Sequence, residues 1–427
     1  MSKSYVERGF PCAAMVLSGV IAVVSAETAD WTPIDVDTDK PSRSFGLVAG
    51  DVTGDGRPDI ACGRYFYRNP GENLEGVWQR STFPEEAEAV AIFDLDGDTC
   101  GDVVAVGCGG VWWFEATDRR ADQWEAVLLN DLVDCEHGIG PQGYAVADLV
   151  PGALPEIIIG HPDKGVIYFA KSDEPDAVSW EWTVVSSHYS EGVETGDIDS
   201  DGDLDIACSG KDGNLARVMW LENPALGNNT SWEVHAVGET DAVVDRIEVA
   251  EIDGDDRQDI VCTEEGRTTT IWWFEQHAPD SWRRTAVGEG DRHLSMHTAD
   301  FDRDGDIDII TGEEIEARRI QIWDNAGNGT FDPYTVDRDK STHIGLLPVD
   351  LDNDGDLDLV SPSWKSPGAV WVWRCDAPVT VSPCSGIGRR SSPVVHDHRL
   401  FDARGRRLDG VREKPLRIRA GDKVWIR

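Results

Sequence analysis

The sequence predicts an all-β fold, a seven-bladed β-propeller, and three observations lead to it. A nine-residue acidic loop recurs along the chain, short apolar and aromatic runs surround the copies, and Gly, Asp, Asn and Pro separate those runs. Short runs rich in β-branched and aromatic residues and bounded by turn formers are typical of β-strands. A repeated unit of four such strands, about 50 residues long, has the size of one propeller blade.

The acidic loops set the phase of the repeat. Their first residues are Asp51, Asp94, Asp148, Asp197, Glu251, Asp300 and Asp350, at intervals of 43 to 54 residues. One apolar run precedes each loop, a second follows it, and an aromatic run such as Ile271-Trp272-Trp273-Phe274 comes third. These runs are the predicted first three strands of a blade.

The fourth strand follows a template of an aromatic residue with an apolar residue five positions later. The template is met by Trp78/Phe83, Trp124/Leu129, Trp180/Val185, Trp232/Val237, Trp282/Val287 and Phe331/Val336. The seventh unit stops after its third strand at Trp373, whereas Trp31 and Val36 match the template near the start of the chain. We therefore expect the N-terminal strand to complete blade seven and close the ring, which removes exposed sheet edges.

Both ends of the chain differ from the repeat. Residues 1–26 are predicted to be a signal peptide, because a short apolar run follows Lys3 and Arg8 and ends at a small-residue cleavage pattern. A membrane anchor is the alternative, but the run is shorter than the roughly 20 residues of a spanning helix. Residues 27–375 are assigned to the propeller and residues 376–427 to a basic C-terminal extension. Its apolar runs predict a small β appendage, with part of a sorting signal as the alternative.

Charge and cysteine content narrow the class of function. A net charge of −41 repels phosphate backbones, so we expect no nucleic-acid partner. With no later apolar segment of spanning length, we expect no transmembrane segment in the mature chain and a secreted, periplasmic or cell-surface location. Cys62, Cys208 and Cys262 occupy one place in three repeats and are predicted to be buried. Cys100 with Cys108, and Cys375 with Cys384, are candidate disulfides.

The clearest acidic loop runs from Asp197 to Asp205. Oxygen donors occupy its positions one, three, five and nine, Gly occupies position six, and the carbonyl of position seven is available. Ca²⁺ takes six to eight oxygen ligands in flexible geometry, whereas Mg²⁺ prefers a strict octahedron, so the spacing favours calcium. Acidic turns that only confer solubility are the alternative, but unconstrained charge would not keep this phase.

These loops resemble those of FG-GAP/VCBS repeat proteins, a group of secreted bacterial β-propellers, and of integrin-alpha-like propellers. The resemblance covers roughly Trp31 to Cys375. It implies that calcium in the loops is structural and that function depends on the loops around the central channel. We expect about six Ca²⁺ ions, because the third loop keeps only the carboxylates of Asp148 and Glu156.

The predicted metal ligands lie in six of the loops. They are Asp51, Thr53, Asp55 and Asp59 in loop one; Asp94, Asp96, Asp98 and Asp102 in loop two; Asp197, Asp199, Asp201, Asp203 and Asp205 in loop four; Glu251, Asp253, Asp255 and Asp259 in loop five; Asp300, Asp302, Asp304, Asp306 and Asp308 in loop six; and Asp350, Asp352, Asp354, Asp356 and Asp358 in loop seven.

Basic and imidazole residues precede the first strands and are candidates for one mouth of the channel. They are Arg43, His137, His188, Arg246, His293, His297 and His343. The alternative is that each caps a turn or bonds a neighbouring blade. A scaffold that binds a carbohydrate, a cell-surface polymer or an extracellular protein is the leading interpretation. An enzyme acting on sugars, a polysaccharide lyase or sugar dehydratase, is the competing one, and it would need these side chains to converge in one pocket.

Overall fold

The structure is a computed structural model that describes residues 30–376, apart from residues 72, 108, 132–142, 151–153, 162–164, 172–178, 189, 213–214 and 225–230. The described residues form 28 strands in seven four-stranded antiparallel sheets. No helix in this part of the chain has the length and hydropathy to cross a membrane. The predicted all-β, seven-bladed propeller is confirmed.

The first three blades follow the chain in order. Blade one contains β2 (Leu47–Gly50), β3 (Asp59–Cys62), β4 (Tyr65–Arg68) and β5 (Gln79–Thr82). Blade two contains β6 (Ala87–Phe93), β7 (Asp102–Gly107), β8 (Gly110–Ala116) and β9 (Trp124–Asn130). Blade three contains β10 (Tyr144–Ala147), β11 (Glu156–His161), β12 (Gly165–Lys171) and β13 (Trp180–Ser186).

The next three blades repeat the same order. Blade four contains β14 (Val193–Gly196), β15 (Asp205–Asp212), β16 (Leu215–Glu222) and β17 (Glu233–Thr240). Blade five contains β18 (Val243–Ala250), β19 (Asp259–Glu265), β20 (Thr269–Ala278) and β21 (Ser281–Gly290). Blade six contains β22 (His293–Ala299), β23 (Asp308–Glu313), β24 (Ile320–Asn325) and β25 (Phe331–Asp337).

Blade seven combines strands from both ends of the described chain. Its sheet has the order β1 (Asp30–Lys40), β28 (Gly368–Asp376), β27 (Asp358–Pro362) and β26 (Leu347–Val349). β1 pairs antiparallel with β28, with Trp31 opposite Cys375 and Ile34 opposite Val372. The strand at Trp31 and Val36 thus takes the fourth, outermost position of this blade.

The core lies between blades. One apolar cluster joins Ile198 and Trp220 of blade four to Val249, Ile260 and Phe274 of blade five. Aromatic side chains of the third strands fill these layers, because alternate residues of a strand face the neighbouring sheet. Burial of such side chains contributes most of the stabilisation that each blade interface supplies.

The cysteines divide into two groups. Cys62, Cys208 and Cys262 are buried on the second strands of their blades, as predicted, and burial raises the pKa of the Cys62 thiol to about 11. These three and Cys100 are free thiols among the described residues. Cys108 and Cys384, the proposed partners of Cys100 and Cys375, lie outside the described residues.

An amide side chain at the end of the third strand links neighbouring blades. Asn69 is buried, and its Nδ2 donates to the carbonyl oxygens of Pro58 in its own blade and Leu351 in blade seven, both at 2.8 Å. Three other blades repeat the bond to the preceding blade, with the pairs Asn223 to Leu149, Gln276 to Ile198, and Asn325 to Ile252. The acceptor is each time the second residue of an acidic loop, so the loops are fixed to the following blade.

We expect Asn69→Ala to lower the free energy of unfolding by about 1–3 kcal/mol, because the buried carbonyl of Leu351 and the half-buried carbonyl of Pro58 lose their donor. Denaturant unfolding measures the change. Asn73→Ala is the matched control, since Asn73 is exposed, and it should leave stability within about 0.5 kcal/mol of wild type. Equal stability of both variants would contradict a linking role for Asn69.

Candidate metal sites and channel mouth

The acidic loops connect the first and second strands of their blades and form a ring on one face. The amide of Gly101 donates to the carbonyl of Asp51 at 2.9 Å, which joins loops one and two. Asn353 Nδ2 donates to the carbonyl of Gly56 at 2.9 Å, which joins loops seven and one. The starts of the first strands therefore lie at the opposite face, around the other mouth of the channel.

The backbone of six loops is left-handed at two positions. Position six has positive φ at Gly56, Thr99, Gly202, Asp256, Gly305 and Gly355. Position four has it as well, at Gly54, Gly97, Ser200, Gly254, Arg303 and Asn353. The sequence pattern indicated the turn at position six but not the one at position four. The two turns aim successive loop amides and carboxylates toward one centre.

The ninth residue of each loop fastens the loop to its blade. In six loops one of its carboxylate oxygens accepts the amide of position two at 2.8–3.2 Å. In five blades the other oxygen accepts an amide at the end of the third strand at 2.7–2.9 Å. Burial raises the pKa of Asp308 and Asp358 to about 8, although these amides oppose the shift. This role adds to the metal-ligand role predicted for position nine.

Three-carboxylate groups with oxygens within 4.8 Å of one another occur in at least four of the predicted loops. They are Asp94, Asp96 and Asp102; Asp197, Asp199 and Asp205; Glu251, Asp253 and Asp255; and Asp300, Asp302 and Asp304. Burial and neighbouring carboxylates raise the pKa of Asp302 and Asp203 to about 6. The carboxylates within a loop thus repel one another without a cation.

Buried oxygens in these loops have no hydrogen-bond donor among the described residues. They are Thr53 Oγ1, Asp203 Oδ1, Asp253 Oδ1, Asp300 Oδ1 and Asp350 Oδ1. A buried acceptor without a donor is costly unless it is otherwise compensated. Hard oxygen donors gathered in this way fit a divalent cation such as Ca²⁺. The residues present therefore fit the predicted metal.

Two loops contain an internal competitor for the cation. Arg57 at position seven of loop one lies 2.5 Å from Asp55, and Arg257 at position seven of loop five pairs with Asp255. Each guanidinium neutralises the carboxylate of position five, which the sequence pattern assigned to the metal. These two loops should hold a cation less tightly than loop four, which contains no arginine.

Loop three differs from the others. Glu156 Oε2 accepts the amides of Leu149 and Val150 at 2.8 and 3.1 Å, so the fastening bond of position nine is kept. Burial raises the pKa of Glu156 to about 8. Residues 151–153 lie outside the described part, and the expectation that this loop holds no ion stays a prediction.

We expect Thr99→Gly to raise the free energy of unfolding in excess calcium by about 1 kcal/mol. A β-branched residue is strained at the φ of 80° that Thr99 adopts, whereas Gly adopts it freely. Thermal unfolding measures the change. Thr82→Gly in strand β5 is the control and should be destabilising. A Thr99→Gly protein destabilised as much as the control would contradict strain at position six.

The candidate residues of the opposite mouth lie in different environments. His188 Nδ1 is 3.0 Å from Ser186 Oγ, beside a cavity of about 250 Å³ between blades four and five. His297 Nδ1 is 2.9 Å from Glu248 Oε1, in a smaller cavity of the channel that Arg246 also lines. His137 lies outside the described residues.

His293 does not line the channel mouth. Its side chain is fully buried, and Nδ1 lies 3.2 Å from Thr269 Oγ1 of blade five. Burial lowers the pKa of His293 to about 4, so the ring is neutral near pH 7. It bonds a neighbouring blade, the alternative that the sequence left open, because its position at the start of β22 points it into the blade interface.

His343 and Arg246 lie near each other. The rings of His343 and Trp364 are 4.2 Å apart, and burial together with Arg246, Arg292 and Arg43 lowers the pKa of His343 to about 3. The described His and Arg candidates therefore converge only in part. His343 and Arg246 lie near each other, whereas His188 and His293 lie elsewhere.

The fold and its acidic loops define a β-propeller with repeated carboxylate turns. Residues 197–262 and 251–311 match the family model described as FG-GAP-like repeat, and these stretches include loops four, five and six. The chain thus contains FG-GAP-like repeats. Among curated proteins, none matches the chain.

Solved structures support the fold. The mercury-soaked crystal structure of BBS1N in complex with ARL6DN is similar, with a TM-score of 0.52, 9% identity, and coverage of 82% of this chain and 98% of that chain. The lead-soaked crystal structure of the same complex has a TM-score of 0.53, 10% identity, and coverage of 82% and 97%. At this identity the likeness concerns the fold alone.

Proposed function

We propose that this chain is a calcium-stabilised interaction scaffold. Ions in six loops hold the blades on one face, and the opposite mouth binds a carbohydrate, a cell-surface polymer or a protein. The observation that carries the proposal is the set of buried loop oxygens without donors inside carboxylate clusters, since a cation satisfies both the oxygens and the charge.

Two further observations support binding over catalysis. His188, His293 and His343 lie in three separate environments, whereas a lyase needs a base and a neutralising group on one substrate. His297 and Arg246 do line one cavity, but its volume of about 50 Å³ is small for a sugar. BBS1N, a similar propeller, was crystallised in complex with ARL6DN, which is consistent with an interaction role for this shape.

Export is part of the same proposal. The basic start, short apolar run and small-residue pattern of residues 1–26 support a cleaved signal peptide. Export would bring the loops into extracellular calcium, and weak sites can be occupied at the millimolar concentrations that extracellular modules use.

We expect a chelator to lower the melting temperature strongly and the mature protein to hold about six calcium ions. If each site is at ten times its dissociation constant, linkage gives roughly 1.4 kcal/mol per site, or about 8 kcal/mol for six. Calorimetry with and without EGTA, and metal analysis after dialysis, measure both. An unchanged transition in EGTA would contradict structural calcium.

A single-site variant tests the assignment of the loops. Asp302→Asn removes a carboxylate from the cluster with Asp300 and Asp304, so we expect one ion fewer per chain and a lower melting temperature in calcium. Asp148→Asn in loop three is the control and should leave the ion number unchanged. Equal ion numbers in the Asp302→Asn and wild-type proteins would show that loop six is not a site.

A further inference from the structure

Four side chains from two blades form an aromatic and cationic cluster at the mouth opposite the acidic loops. The Arg43 guanidinium lies 4.5 Å from the centre of the Trp364 ring, and the His343 ring lies 4.2 Å from it. Phe45 packs edge-on against the same indole at 4.9 Å. Trp364 therefore orients both Arg43 and His343.

Arg246 presents a buried charge to the same region. It is 9% exposed, and its Nε and Nη2 have no hydrogen-bond partner in the described chain. Nη1 donates to the carbonyl of Asp245 at 2.8 Å and lies 3.7 Å from the Asp245 carboxylate. A guanidinium has five N–H donors in a planar fork, so several donors of Arg246 are available to a ligand.

The carboxylates near Arg246 are Asp245 and the residues Glu191, Glu194 and Glu248 of the cavity that it lines, and Glu248 already lies 2.9 Å from His297 Nδ1. Burial raises the pKa of Asp245 to about 7 even beside Arg246, so this carboxylate is only partly ionised near neutral pH. Arg292 differs, because its Nη1 lies 3.1 Å from Glu314 Oε2 and is already paired. Arg43 is exposed and stacks on Trp364. Arg246 is buried, and two of its nitrogens have no hydrogen-bond partner in the described chain.

His343 adds a neutral donor. Its ring is 7% exposed and Nδ1 has no partner within the described ranges. With the pKa lowered by burial and by the nearby arginines, the ring is uncharged, and a neutral imidazole can present one N–H. Two guanidinium groups and an N–H donor are suited to an acceptor with several oxygens.

We propose that Arg43, Arg246 and His343 form a binding site for an oxyanion, a carboxylate or sulfate group of the ligand, at the channel mouth. Arg246 supplies a desolvated fork, Arg43 a charge held over Trp364, and His343 an N–H through Nδ1. In a chain of net charge −41, an anion is repelled by most of the surface. We therefore expect anions to bind at this cluster rather than elsewhere on the surface. The inference rests on the proposed scaffold function and names the chemistry of its ligand.

Isothermal titration of the calcium-saturated protein with sodium sulfate, sodium D-glucuronate and D-glucose, at constant ionic strength, tests the site. D-glucose is the neutral counterpart of D-glucuronate and should show no saturable binding. We expect at least one anion to bind, and Arg246→Gln to weaken it roughly tenfold or more, because a charge-assisted fork is lost. Arg43→Gln should weaken it as well, and its exposed position keeps the protein folded.

Arg120→Gln removes an equal charge from an exposed position between β8 and β9 and should bind like wild type. Tighter binding of D-glucuronate than of sulfate identifies a carboxylated sugar as the source of the oxyanion, and the reverse order identifies a sulfate group. The proposal is overturned if neither anion binds, or if both variants bind like wild type. Because calcium is saturating, that failure leaves the ion content and its effect on stability as independent results.

Discussion

The buried carboxylate at the ninth loop position is the constraint on which each blade depends. It lies where the second strand begins, and its two oxygens hold the start of the acidic loop and the end of the third strand. Burial without these amide donors would be costly for a charged group. The same residue thus determines the shape of the loop, the register of two strands and the distance between the loop carboxylates.

The amide side chains at the ends of the third strands extend this constraint around the ring. Each of the four reaches the second residue of the preceding loop, and in three of these loops the amide of that residue is held by the ninth carboxylate, as at Asn69 and Leu351. Most neighbouring loops of the acidic face are therefore joined, while the opposite face holds Arg43, Arg246 and Arg292. These three arginines thus lie away from the carboxylate clusters of the loops.

Repetition made the fold predictable. The seven loops, the order of the strands and the burial of Cys62, Cys208 and Cys262 all follow from a phase that many residues share. Contacts between blades were harder to predict from the sequence, because no periodicity shows that Asn69 reaches Leu351 or that His293 points into an interface. The pair Asn-Pro at residues 69–70 and 223–224 was a visible signal for the linking amides. The arginines at position seven of loops one and five also depend on side-chain conformation rather than on spacing.

The pairing of β1 with β28 has a consequence for how the chain reaches this structure. Their hydrogen bonds join the first and last described strands, so their contact order is as high as this part of the chain allows. Contacts of that kind form late, because the loop-closure entropy of the whole intervening chain opposes them. Of the described strands, β1 is synthesised first and its partner β28 last. β1 therefore stays without its sheet until the other three strands of blade seven have been synthesised, and ring closure coincides with completion of that blade.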